Sequence, residues 1–424
     1  MNTSNRQYLI STSLAILAIG LLLVSCQRPV TTIRSGNTPP PGDPNPAMND
    51  PDQFNWGLFA QVNQPIPDTD QVKFTSKNTN VELTTNNVLW ETWADDPCTF
   101  PPSPKLANPP TWDSCADVKT FRTSSQLSRA RPGTGPTEAL ACDEKDITPE
   151  NPNCEEVRRN RPAFDYIMQN KLWYQEGLAA AFAAGGEVKF PIAAIEVKAN
   201  WIPLPLGADK NQYHWNYDQE GDVWVMIAMH IMSKAVPNWT WATWEWEGNP
   251  GRCDYFGCLD TFGVIPANVA SSPQPTPQPY PAGELTAQLL SLFKQYGLGP
   301  EWQHYRLKGS QTNFVDATGR TTLLGNSVTE NGFVQTSSCI TCHSRAAVDS
   351  TGQSAIQGKA LSVFEPTPPP APSPDTARSY NGVPDPAWFF DLSQHPPQVS
   401  ALQMDFVWAT FNANSLTPTP APAP

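Results

Sequence analysis

Two thiols three residues apart, followed at once by an imidazole, occur at Cys339-Ile340-Thr341-Cys342-His343, and no other segment of the sequence constrains the fold as tightly. Thiols at that spacing reach the two vinyl groups on adjacent edges of one porphyrin. The next residue then lies under the ring with a nitrogen directed at its iron. The competing reading is a thioredoxin-like dithiol beside an incidental histidine. Such dithiols open a helix directly after a strand and keep an aromatic or proline nearby, whereas Ser337 and Ser338 precede Cys339 here. One such segment implies one covalently bound haem c, with Cys339 and Cys342 as the attachment points and His343 as the proximal iron ligand.

Thioether chemistry of this kind belongs outside the cytoplasm, and the N-terminus agrees. A short start carrying Arg6 leads into an apolar run from Leu14 to Leu23 and then Leu23-Val24-Ser25-Cys26, the pattern of a signal peptide with a lipobox. Cys26 would become the lipidated first residue, and several acyl chains at about 0.8 kcal/mol per buried methylene would hold the protein at a bilayer surface. Gln27 follows it, where Asp would favour retention at an inner membrane, so the outer membrane is favoured. An uncleaved N-terminal anchor is the alternative; either way the body faces the periplasm or the exterior. Without residues 1 to 25 the chain keeps 26 basic against 40 acidic residues, a formal charge of −14. That excludes nucleic acid as a natural partner and suits docking to a basic protein face.

Of nine cysteines, lipid and haem account for three, leaving Cys98, Cys115, Cys142, Cys154, Cys253 and Cys258. Six thiols in an oxidising compartment read as disulfides. The pairs 98 with 115, 142 with 154 and 253 with 258 need the least loop closure, among 15 connectivities. A metal site is the rival, but no CxxC spacing recurs among the six.

Proline-rich stretches at 39–51, 271–281, 366–374 and 417–424 punctuate the chain. They suggest a signal peptide over 1–25, a tether over 26–52, a disulfide-containing strand-rich region over 53–270, a linker over 271–283, a haem region over 284–415 and a disordered tail over 416–424. One helix is expected near Ala163 to Ala181. Alternating apolar and polar residues from Ile195 to Trp201 predict a half-buried strand, and Val223 to Met232, apolar on both faces apart from His230, a central buried one. In Asn238 to Trp246, Trp239 and Trp241 share one face and Trp244 and Trp246 the other, so either both faces are covered or a bulge sits near Ala242. These tryptophans read as core or pocket wall rather than a sugar-stacking platform. Leucines and aromatics from Glu284 to Tyr296 follow helical spacing with Gly297 as C-cap, Tyr305 to Val315 is strand-like, and the haem segment is expected in loop and short helix. The expected fold class is α+β: a β-sheet-rich region packed with a cytochrome c-like haem region of short helices and loops.

What the iron could do depends on its sixth ligand. Met404 lies 61 residues after His343, beside Phe406 and Trp408; its alternative is ordinary core packing. His230, on the apolar strand with Trp224, Met226 and Met232, is a buried imidazole that needs a partner, and a satisfied core histidine is its plain reading. Another methionine, His214, His304, His395 or an open site complete the choices. Lys198 and Lys234, near apolar runs, are offered no role beyond contact with a haem propionate.

Several stretches in order resemble a family of largely uncharacterised bacterial exported monohaem cytochrome c-like proteins. They are Phe190-Pro191, Glu196-Val197-Lys198-Ala199-Asn200-Trp201, Met229-His230-Ile231 with Lys234, Trp239 through Trp246, Asn249-Pro250-Gly251-Arg252-Cys253 with Gly257-Cys258, and Ser337-Ser338-Cys339-Ile340-Thr341-Cys342-His343. The resemblance spans roughly 160 to 415 and implies haem and iron binding and, by analogy, single-electron transfer to a redox partner; an electron-transfer protein is expected over a catalyst. It also implies a histidine where His230 stands, but not a methionine at Met404. A peroxidase-like haem enzyme or gas sensor with an open sixth site is the competing expectation.

Overall fold

The structure, a computed structural model, describes residues 44–116, 128–129, 154–218, 220–331, 333–355 and 382–416. Cys26, Cys142, the signal peptide and the proline-rich stretches 366–374 and 417–424 lie outside the described residues. Two helices open the described chain, α1 (Pro44–Asn49) and α2 (Pro51–Val62). The expected tether therefore ends earlier than residue 52. Pro51 stands at the first turn of α2, where a missing N–H costs nothing, so proline here starts a helix instead of marking a linker. Ala47 of α1 is buried against Ala235 and Val236.

One antiparallel sheet organises the rest. Its strands are β1 (Ala94–Asp95), β2 (Cys154–Arg159), β3 (Ile195–Pro203), β4 (Trp215–Tyr217), β5 (Val223–Ser233), β6 (Thr240–Trp246) and β7 (Tyr305–Gln311). They lie in the order β7–β6–β5–β3–β2–β1, with β4 paired to the first part of β5 and the two-residue strand Ser128–Arg129 to β2. The mixed α+β class expected from the sequence is what the chain adopts. β5 is central, as its two-sided apolar run predicts. β7 comes from beyond the 271–283 stretch, so that stretch joins parts of one sheet and does not divide two bodies. The single helix expected near 163–181 is two, α3 (Arg161–Gln169) and α4 (Gln175–Ala183), broken at Lys171, whose φ is +59°.

Alternation along β3, β5, β6 and β7 gives the sheet two unlike faces. Ile195, Val197, Ala199 and Trp201, Met229 and Ile231, Ala242 and Trp244, and Leu307 form a dry face. It packs against Trp56 and Phe59 of α2 and Phe293 of α5 (Ala287–Tyr296), with Trp244 centred 5.8 Å from Trp56 and 4.9 Å from Phe59. α5 starts from the Thr286 side chain, which accepts the Leu289 N–H, and ends on Gly297 at φ +72°, the left-handed cap its sequence predicts. Both faces of the tryptophan strand are covered, and the bulge lies in its partner, where Lys308 is the extra residue opposite Trp244 and Thr243. The 98–115 and 253–258 disulfides are formed. Cys154 is also disulfide-bonded.

Candidate haem-attachment site

The second face of the sheet is where polar residues cross the interior. Register places Val157, Lys198, His230, Thr243 and Gly309 in one cross-strand row. A parallel row carries Arg159, Glu196, Met232, Trp241 and Gln311, and a third brings Glu155, Asn200 and Glu245 alongside. Two segments dock on this face: the loop 326–330 and the short helix α6 (Cys339–His343).

Gln311, at the end of β7, holds α6 to the sheet. Its Oε1 accepts the Ile340 N–H at 3.0 Å, while its Nε2 donates to Ser338 Oγ at 3.0 Å and to the Thr322 carbonyl at 3.0 Å. Ser338 in turn reaches Thr341 Oγ1. In a helix, residues three and four apart share a face, so Cys339, Cys342 and His343 point one way. Ile340 and Thr341 are buried, whereas both cysteines and His343 keep accessible surface. Both thiols are free, and burial raises both, Cys342 to about 11.

His343 is oriented from behind. Its Nδ1 lies 2.8 Å from the Phe406 carbonyl, which can only accept, so Nδ1 carries the proton and Nε2 keeps its lone pair. Burial pushes the imidazole down to about 3, so it is neutral. Trp241 packs on the ring, with centroids 4.5 Å apart.

The carbonyl that does this comes from a strained turn. Asp405 and Phe406 have φ of +48° and +72°, values that non-glycine residues rarely adopt. The turn is pinned by a buried ion pair in which Lys234 Nζ lies 2.6 Å from Asp405 Oδ1, while Asp405 Oδ2 accepts the Phe190 N–H at 2.7 Å. Upstream, Ala347 and Val348 pair with Gln403 and Leu402, and Met404 N donates to the Ala346 carbonyl at 2.7 Å.

Opposite, the loop 326–330 lies over the row that contains His230. Asn326 Nδ2 approaches His230 Nε2 at 2.8 Å and donates to Thr243 Oγ1 at 2.9 Å. Thr329 Oγ1 is 3.0 Å from His230 Nε2 and donates to Asn200 Oδ1 at 2.7 Å. The Ser327 N–H donates to Glu245 at 2.9 Å. Burial pushes His230 well below its ordinary value, reinforced by the Lys198 charge. Burial also lifts Glu330 to about 7.

The other expected residues distribute differently. Met404 is fully buried among apolar residues that include Ile340 and Val407, on the segment that holds Nδ1 of His343. His214 belongs to the dry side, 2.9 Å from Glu91 and stacked on Trp302. His304 pairs with Glu247, and His395 is exposed. Lys198 is paired with Glu155 and Lys234 with Asp405. The tryptophan run divides its duties: Trp244 fills the dry core, Trp241 lies against His343, and Trp246 stacks on Tyr213 at 4.4 Å.

Gln311, Asn326, Thr329, Asp405 and the Phe406 carbonyl were not singled out from the sequence. A buried amide between strands and a main-chain carbonyl carry no spacing signature, and only the polar run Asn326-Ser327 with Thr329-Glu330 before Cys339 offered a hint.

The arrangement fits a covalently attached haem. Free thiols and an imidazole with its far nitrogen available share one helix face, next to an indole and to buried apolar residues. Among the described residues no group of three or more His, Cys, Asp or Glu is gathered as a metal cage. Haem iron does not need one, since the porphyrin supplies four ligands. Among the described residues no helix is long and apolar enough to cross a membrane. No protein-family model, no curated protein and no solved structure matches the chain.

Proposed function

We propose that the chain is an exported, lipid-anchored monohaem c-type cytochrome that exchanges single electrons with a protein partner. The observation that carries this reading is the bond from His343 Nδ1 to the Phe406 carbonyl, beside two free thiols on the same helix face. That bond fixes the tautomer an axial ligand requires. Cys339 and Cys342 would hold the haem, His343 would ligate its iron, and the haem would supply a one-electron iron couple. The chain's own contribution is to fix the imidazole, to exclude water with Trp241 and Ile340, and to lower the dielectric around the site. The acidic surface, −14 without residues 1 to 25, suits a basic partner face. Cys26 would anchor the body at the outer membrane.

Placement disfavours Met404 as a sixth ligand. Met404 is fully buried among apolar residues, two positions before the carbonyl that holds Nδ1 of His343, whereas His230 keeps part of its side chain exposed on the polar face of the sheet. A second reading, an open sixth site serving a haem enzyme or gas sensor, draws on the Asn326 and Thr329 contacts that already occupy Nε2 of His230.

The test is expression with a haem-attachment system. Wild type should retain haem after acid–organic extraction, and the Cys339→Ala, Cys342→Ala pair should release all of it. A wild-type chain that matures without haem, or a double variant that keeps it covalently, would end the reading.

A further inference from the structure

The tautomer of His230 can be read from its neighbours. Asn326 is fully buried and its amide cannot flip, because its Oδ1 accepts two backbone N–H groups of its own loop, from Val328 at 2.9 Å and Thr329 at 2.6 Å. Nδ2 therefore faces the sheet with two hydrogens. One goes to Thr243 Oγ1, whose own hydrogen is directed at the Met229 carbonyl. The other points at His230 Nε2 from 2.8 Å. A ring nitrogen facing an amide N–H must accept, so its lone pair is engaged and the proton sits on Nδ1. Thr329 does not oppose this. Its hydroxyl rotates and can donate to Nε2 or to Asn200, whereas the amide has no second orientation. The nearest charged group, Glu330, is 3.7 Å from Nε2, beyond hydrogen-bonding range.

Nδ1 of His230 has no partner among the described residues, and the side chain keeps 17% of its surface exposed. A protonated ring nitrogen cannot ligate iron, but it can donate a hydrogen bond. We propose that His230 is held by Asn326 as a hydrogen-bond donor to a small anionic or peroxide-type ligand at the iron, and is not itself the sixth ligand. This rests on the haem reading above and deepens its open-site form: iron held by His343 alone would take an exogenous ligand, and His230 stands in the row next to that of Trp241, whose ring packs on His343. Cyanide is a suitable probe, since its nitrogen accepts when carbon binds iron.

The experiment uses haem-loaded protein. Wild type should be high-spin when oxidised, bind carbon monoxide when reduced, and bind cyanide. His230→Leu should stay high-spin, shift the carbonyl stretch, and weaken cyanide binding by about tenfold or more, the usual effect of losing a hydrogen bond to a charged group. Asn326→Asp keeps the loop-capping oxygen and turns an acceptor towards Nε2; drawing the proton to Nε2, it should weaken cyanide binding as His230→Leu does, on a folded chain. A low-spin oxidised wild type that becomes high-spin only in His230→Leu makes His230 the iron ligand and overturns the proposal while leaving the haem reading intact. An Asn326→Asp chain with wild-type cyanide affinity overturns the tautomer argument. A chain without haem overturns both.

Discussion

The two faces of the central sheet are built from the same strands and do opposite things. On one, Trp56, Phe59, Trp201, Trp244 and Phe293 close a core from which charge is almost excluded. On the other, Glu155, Lys198, Asn200, His230, Thr243 and Glu245 stand in adjoining rows and are answered by a loop and a short helix from far along the chain. The difference shows how the energetic load is shared. Burying several rings, each contributing about 1.5–3 kcal/mol, lets the dry face carry the fold. The opposite face can then keep polar groups inside, where each needs a partner.

The comparison makes unequal predictions. Trp244→Ala leaves a ring-sized void between α2 and the sheet and should cost about 3–5 kcal/mol in urea denaturation. The optical spectrum of the haem-loaded protein below the transition should be unchanged; a shifted spectrum would mean the two faces are not independent.

Lys234→Ala leaves Asp405 buried without its cation. The expected loss is about 3 kcal/mol, at the low end for a broken buried pair because Phe190 N–H still serves the carboxylate. Its second effect belongs to the site alone. A looser Phe406 carbonyl makes His343 a weaker donor, so the reduction potential should rise relative to wild type. A potentiometric titration with no change would reduce the ion pair to a purely structural contact.

The smallest effect concerns a carboxylate tied to the dry face. Asp260 accepts from Trp56 Nε1 at 3.0 Å, and burial lifts it from 3.8 to about 6. Between those two values the folded state binds more protons than the unfolded one, so this group's contribution falls as pH rises from about 4 to about 6 and is level above that. The stability difference between wild type and Asp260→Asn, followed by thermal melts across that range, should trace the same window. A flat difference would show that Asp260 ionises as an exposed aspartate does.

How far the sequence foretold this depended on whether the signal was local. β3 could be read from alternation, β5 from an apolar run on both faces, α5 from leucine spacing and its glycine cap, and a short helix was expected at the segment of two thiols and an imidazole. Proline misled at Pro51, where the same residue that breaks a helix begins one. The membership of β7 in the sheet was hidden by the proline-rich stretch before it. The polar setting of His230 was less legible still. Asn326 is 96 residues away and acts through an amide whose orientation depends on its own loop, which no periodicity encodes.

The carbonyl of Phe406 has a consequence for the order of biosynthesis. It belongs to a turn 63 residues beyond the imidazole it holds, near the end of the described chain. While that stretch is still being made, the two thiols and the histidine already exist but the histidine has no rear anchor. The orientation of that imidazole and the position of its proton are then set only when the 402–407 segment closes behind α6, so a motif complete at residue 343 waits for the last part of the described chain to acquire its geometry.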